Sequence, residues 1–171
     1  AAMAELARHF AELLAVDNGF SVLIDGVPLD PSVLIAHQEL VMLKVGSTGE
    51  LPQLRLVEWK PDTQGVKNKL MFCVDGSTLH ETDDLPAVGK LRVSAYVTWP
   101  PLLNLAKDLD LANWDHPQLQ PLMDATKAAV SDFHRRRAKQ RNRDRLQQFK
   151  QDGLYPYQGK PNGAAEATER A

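Results

Sequence analysis

The last third of the chain joins an apolar repeat to a run of cations, and this constrains the fold more than any other feature. Apolar residues recur at helical spacing from Leu119 to Phe133 and run, without a helix breaker, into the arginine-rich residues 134–145. Gly153 is the stop signal that follows. The sequence therefore predicts one long helix over residues 116–151, packed over its first half and basic from His134.

The apolar face of this helix ends at Phe133. Before that point we expect it to bury Leu119, Leu122, Met123, Thr126, Ala129, Val130 and Phe133. Beyond it the stripe continues with Arg136, Arg137 and Gln140, and only Leu146 and Phe149 restore it. Arginines four residues apart repel each other by a few tenths of a kcal/mol. An acidic partner would relieve this repulsion. The residues predicted to bind a partner are Arg135, Arg136, Arg137, Arg141, Arg143 and Arg145.

The rest of the chain reads as helix, then sheet, then helix. Residues 1–16 form an amphipathic helix with an apolar face made of Met3, Leu6, Ala7, Phe10, Leu13 and Leu14. Residues 17–115 hold short strand-like segments at 20–24, 40–45, 51–59, 69–74 and 91–99, followed by a short helix at 102–109. Asp25-Gly26 and Asp75-Gly76 predict tight turns. The expected class is α+β, a two-layer sandwich of a mostly antiparallel sheet with helices.

The composition indicates which partners and which cellular compartment to expect. The chain has 171 residues and a net charge of −2, so any attraction for anions must be local. Its one cysteine, Cys73, lies in an apolar run, which excludes a disulfide framework and favours a reducing compartment. No apolar run is long enough to cross a bilayer. We expect a cytoplasmic protein with no membrane partner, and residues 152–171 as an extended linker or the start of another domain.

Several segments resemble the GHKL group of ATPases, which includes gyrase B, MutL and the ninety-kilodalton heat-shock chaperones. The matching residues are Asp25-Gly26-Val27-Pro28-Leu29-Asp30-Pro31, Val57-Glu58-Trp59-Lys60, Asn68-Lys69-Leu70-Met71-Phe72-Cys73-Val74-Asp75-Gly76 and Gln151-Asp152-Gly153-Leu154-Tyr155-Pro156-Tyr157-Gln158-Gly159. They look most like the bacterial chaperone-like members. The resemblance is to the transducer domain that follows the ATP-binding domain, which implies a fold like domain two of a small-subunit ribosomal protein.

The resemblance implies a division of labour between two domains. The glycine-rich nucleotide motifs of the group are absent from this sequence, so the chain alone should not hydrolyse ATP and holds no cofactor or metal. ATP and magnesium would be bound by an N-terminal ATPase domain of the parent protein. A transducer supplies one cation to the γ-phosphate from a loop, here residues 61–68. Lys67 is the expected cation, with Gln64 beside it and Lys69 as the second choice.

Two functions for the basic segment stay open. In the first, it packs on the ATPase domain, a client protein or a second protomer, and relays nucleotide state. In the second, it binds nucleic acid through its phosphates, although no aromatic residues are interleaved with the arginines. A third pattern, His80-Glu81, begins like a zinc-protease motif but lacks the second histidine, so we expect a solvated loop there.

Overall fold

The computed structural model describes residues 2–15, 21–45, 49–61, 63, 68–86 and 91–152. It contains three α-helices within these ranges: α1 (Ala2–Ala15), α2 (Ala106–Asp110) and α3 (Leu119–Gln151). The strands are β1 (Leu23–Ile24), β2 (Val27–Pro28), β3 (Ile35–Met42), β4 (Gln53–Trp59), β5 (Lys69–Val74), β6 (Ser77–Thr82) and β7 (Val93–Thr98). Two 3-10 helices, Pro31–Leu34 and Pro100–Leu105, precede β3 and α2.

The main sheet has five strands in the order β3-β4-β7-β5-β6. Every pair is antiparallel except β5 with β7, and β1 and β2 form a separate two-stranded sheet. The predicted α+β class, with a mostly antiparallel sheet and a long C-terminal helix, is confirmed. Strand β7 is central although it is last in sequence, so the chain must cross from the edge strand β6 to reach it.

Alternation along the central strands creates two apolar cores. Residues such as Leu56, Phe72 and Val97 point toward a large core that also contains Leu109 of α2 and Phe133 of α3. On the opposite face a smaller core joins strand residues to α1, and it contains Ala11, Val57, Trp59, Met71, Cys73 and Tyr96. Cys73 is therefore a buried core residue, as its apolar context predicted.

The chain divides into two compact units, residues 1–134 and residues 135–171. The first unit contains the sheet and both cores. The described part of the second unit is the rest of α3, in which nearly every side chain is exposed. His134 is buried at 1% exposure, so the exposed basic part begins at Arg135 and not at His134.

Several predicted elements are confirmed by the structure. Strand β5 has the predicted bounds, and α3 buries the predicted stripe except Ala129, which is half-buried. Asp25-Gly26 and Asp75-Gly76 turn with positive φ at both positions, as a two-residue hairpin of this type requires. The predicted stop at Gly153 and the tail after it lie outside the described residues.

Other predictions were wrong in ways that have physical causes. The strand expected at 40–45 is β3, Ile35–Met42, because pairing with β4 fixes its position. The loop expected around His80 is strand β6, which extends the hairpin from Asp75-Gly76. On α1 the predicted apolar face is rotated, since Leu6 is 38% exposed while Arg8 is only 3% exposed.

Candidate functional site

One end of the main sheet collects the ends of three strands. Strand β4 ends there at Trp59, while β5 starts at Lys69 and β7 starts at Val93. In register, Glu58 lies opposite Val93 and Lys69 lies opposite Ser94. The loop of residues 61–68 therefore leaves and re-enters the sheet on opposite sides of β7. We call this region the loop end of the sheet.

The first side of the loop is anchored by backbone hydrogen bonds. The Lys60 N–H donates to the Leu34 carbonyl at 2.9 Å, and the Thr63 N–H donates to the Lys60 carbonyl at 3.0 Å. Arg92, which precedes β7, donates from its guanidinium to the Thr63 carbonyl. The Arg92 carbonyl in turn accepts from the Trp59 N–H at 2.9 Å. Arg92 thus ties the start of the loop to the end of β4.

The second side of the loop is anchored through Asn68. Its side-chain oxygen accepts from the Val93 N–H at 2.8 Å, which places the return of the loop against the start of β7. The next residue, Lys69, donates from Nζ to Glu81 Oε1 at 2.5 Å and lies 3.7 Å from Asp83 Oδ1. Both ends of the loop are therefore fixed to the same strand, β7, or to its neighbours.

An ion cluster at this sheet edge joins α1 to β5 and β6, and consists of Arg8, Lys69, Glu81 and Asp83. Arg8 is buried, and its Nη1 lies 3.4 Å from Glu81 Oε2 and 3.3 Å from Met71 Sδ. The hydrogen bond from Lys69 lowers the pKa of Glu81, and the charge of Arg8 lowers it further, against an opposing effect of desolvation. Glu81 is therefore held as a carboxylate between two cations.

The structure describes one of the three predicted loop-site residues, Lys69. Lys67 and Gln64 lie outside the described residues. Lys69 opens β5 as predicted, with its cation engaged by Glu81. Sequence reasoning missed Arg92 and Asn68, because each acts through a contact 25 or more positions away in sequence.

The six predicted partner-binding arginines all lie on the second half of α3. Arg137 and Arg141 are half-buried, and Arg135, Arg136, Arg143 and Arg145 are exposed. Two large apolar residues of the same segment are also exposed, Leu146 at 48% and Phe149 at 43%. The segment thus presents apolar surface together with its cations.

We also looked within the described residues for a metal site at His80 or elsewhere and for a membrane-spanning helix. His80 lies on β6 between Phe72 and Trp114, with ring centroids 6.3 and 5.8 Å away. No group of three metal-ligating side chains occurs in the described ranges. No α-helix in those ranges has the length and apolar content needed to cross a membrane. No family model, curated protein or solved structure matches the chain.

Proposed function

We propose that the chain is the transducer domain of a GHKL-type ATPase of the chaperone-like kind. It would pass the nucleotide state of an N-terminal ATPase domain in the same chain to a client or partner in the cytoplasm. The observation that carries the proposal is the anchoring of loop 61–68 at both ends against strand β7. The resemblance of four segments to the GHKL group suggests what the loop does, which is to supply a cation to the γ-phosphate of ATP.

The anchoring suits a loop that presents a cation to a neighbouring domain. Four residues, 64–67, join Thr63 to Asn68, so Lys67 is the immediate neighbour of the fixed Asn68. A cation carried there reaches a γ-phosphate only when the ATPase domain brings the nucleotide close. Lys67 would then stabilise the charge that develops on the γ-phosphate, and this contact would pull on its neighbour Asn68. Lys69 is the weaker candidate, because its ammonium would have to leave Glu81 first.

On this proposal the chain alone is not an ATPase. ATP and magnesium belong to the N-terminal domain, and no residue of this chain is proposed to hold either without it. The proposed role of the second half of α3 is to contact that domain, a client protein or a second protomer. Arginine suits such a contact because its guanidinium forms bidentate hydrogen bonds with carboxylates.

The test is calorimetric titration with ATP and magnesium, run on this chain and on the longer protein that includes the ATPase domain. We expect the chain alone to be silent and the longer protein to bind. In the longer protein, Lys67→Ala should reduce turnover by about a hundredfold while nucleotide affinity changes little. Lys44→Ala is the matched control, since Lys44 is an exposed lysine beyond the other end of β3.

Two results would contradict the proposal. One is binding of nucleotide by this chain alone, which would mean that it holds its own site. The other is full turnover by the Lys67→Ala protein, because the loop would then contribute no cation to the reaction.

A second candidate function is nucleic-acid binding through α3. Residues 135–151 contain six arginines and two lysines against one aspartate, a charge density sufficient for several phosphate contacts. Affinity for duplex DNA that falls steeply with salt would support this function, since phosphate binding releases counterions. A shallow salt dependence would favour a protein partner.

A further inference from the structure

The two units of the chain carry opposite charge. Residues 1–134 contain ten Lys and Arg against eighteen Asp and Glu, a net charge of −8. Residues 135–171 contain ten against four, a net charge of +6. The near-neutral total of −2 therefore conceals a strong separation of charge. Each copy of the protein offers both a cationic surface and an anionic one to another copy.

The cationic surface has a defined face on α3. Arg135, Lys139, Asn142, Leu146 and Phe149 follow one another at alternating spacings of four and three residues, which places them along one side of a helix. All five side chains are exposed. Arg143 and Lys150 flank the same side. We call this surface the basic stripe, and it combines cations with two exposed apolar residues.

The anionic surface surrounds α2. Residues 100–126 contain four aspartates and only one lysine, Lys107. Leu103 and Leu111, before and after α2, are exposed at 61% and 69%. Asp110 and Asp115 are also exposed. We call these four exposed residues, Leu103, Asp110, Leu111 and Asp115, the α2 surface; the exposed Lys107 lies in the same segment.

We propose that the basic stripe of one copy docks on the α2 surface of a second copy. Leu146 and Phe149 would cover Leu103 and Leu111, while Lys139 and Arg143 would face the aspartates. Each copy carries both surfaces, and the proposed assembly is a closed, two-fold dimer in which both contacts form. The contact does not depend on the ATPase assignment, and it stands if that assignment fails.

A second copy fits the stripe better than nucleic acid does. A phosphate backbone would match the cations but would leave Leu146 and Phe149 without an apolar partner. The charge of −8 on residues 1–134 would also repel a polyanion. The α2 surface offers aspartates to the cations of the stripe and exposed leucines to its apolar side chains. Protein interfaces of this kind are rich in arginine and aromatic residues at their centre.

The test is sedimentation velocity on the full chain. At about 0.1 M salt we expect twice the chain mass of 19.0 kDa, and at about 1 M salt we expect the single chain, because salt screens the attraction. Lys139→Glu with Arg143→Glu should weaken the dimer by about a hundredfold, since like charges then face each other. Asp110→Lys with Asp115→Lys should do the same.

Mixing the two double variants gives the sharpest result. In the mixture the reversed stripe meets a reversed α2 surface, and the natural stripe meets a natural one, so a mixed dimer should form although neither variant dimerises alone. Gln140→Glu with Gln148→Glu is the control. It adds negative charge at two exposed residues on the opposite side of α3, outside the predicted partner-binding set, and should leave the dimer intact.

Three outcomes would overturn the proposal. The chain could be monomeric at low salt, the two variants could fail to combine, or the control pair could dissociate the dimer as strongly as the stripe pair does. Binding of duplex DNA that requires Lys139 and Arg143, in a chain that stays monomeric, would assign the stripe to nucleic acid instead. Circular dichroism of each variant separates loss of the contact from loss of folding.

Discussion

Replacing Glu81 by glutamine tests the ion cluster that joins α1 to the sheet. The change removes one negative charge and preserves the shape of the side chain, so Arg8 and Lys69 lose their shared carboxylate. Arg8 is only 3% exposed, and a buried cation depends strongly on such a partner. Hydrogen bonds to charged groups contribute about 1.5–3 kcal/mol. Because Glu81 is 38% exposed, solvent screening reduces the expected loss to about 1–2 kcal/mol.

The effect should depend on pH in a direction that the cluster determines. The hydrogen bond from Lys69, aided by the charge of Arg8, lowers the pKa of Glu81 below its ordinary value of 4.5. A carboxyl with a lower pKa in the folded state stabilises that state fully above its unfolded pKa. This stabilisation disappears as the pH falls through the folded pKa. The natural protein and the Glu81→Gln variant should therefore differ at neutral pH and converge in acid.

Urea unfolding followed by circular dichroism measures both effects. The difference in the free energy of unfolding is compared at about pH 7 and about pH 3, on either side of the range in which carboxylates titrate. Glu50→Gln is the control, because Glu50 is exposed and, among the described residues, the bond that it accepts goes from Trp99 to its backbone carbonyl. A difference of the same size at both pH values would refute the reasoning, since it would not arise from the charge of Glu81.

Two further substitutions test the core and the loop. Phe133→Ala should cost about 3–5 kcal/mol in urea unfolding because the ring is fully buried, whereas Leu40→Ala, at 57% exposure, should cost under about 1 kcal/mol. Equal costs would contradict the burial of Phe133. Asn68→Ala should cost about 1–2 kcal/mol and speed hydrogen exchange at the Val93 amide, because that N–H loses its acceptor. Asn68→Asp keeps an acceptor oxygen and should restore most of the protection; if it does not, the contact with Val93 is not the cause.

Elements that depend on local chemistry could be predicted from the sequence. Strand β5 is a run of apolar residues that ends at Asp75-Gly76, and that turn needs positive φ, which glycine adopts freely. The buried stripe of α3 follows from helical spacing alone, up to its end at Phe133. In these cases the side chains of one short segment determine both the conformation and the face that is buried.

Elements that depend on distant partners could not be predicted. Arg8 reads as an exposed helix residue, and its burial involves partners far away in sequence, among them Glu81, which is 73 positions away. Strand β6 is half-buried at the sheet edge, so its residues show no clear alternation. The candidate site also depends on residues that are far apart in sequence. The sequence indicated loop 61–68 through resemblance, but the anchors Arg92 and Asn68 emerge only when β7 is placed between β4 and β5.

The central position of β7 gives the proposed transducer a physical route for its signal. Arg92, at its start, holds loop 61–68. Further along, Ala95 packs in the core that contains α3, while the Tyr96 hydroxyl donates to the Arg8 carbonyl of α1 at 2.7 Å. A slip of one residue would turn every side chain of β7 to the wrong face, so we expect β7 to move together with the strands that it pairs with. On the proposed function, we therefore expect a pull on the loop to reach both helical layers through Arg92 and β7.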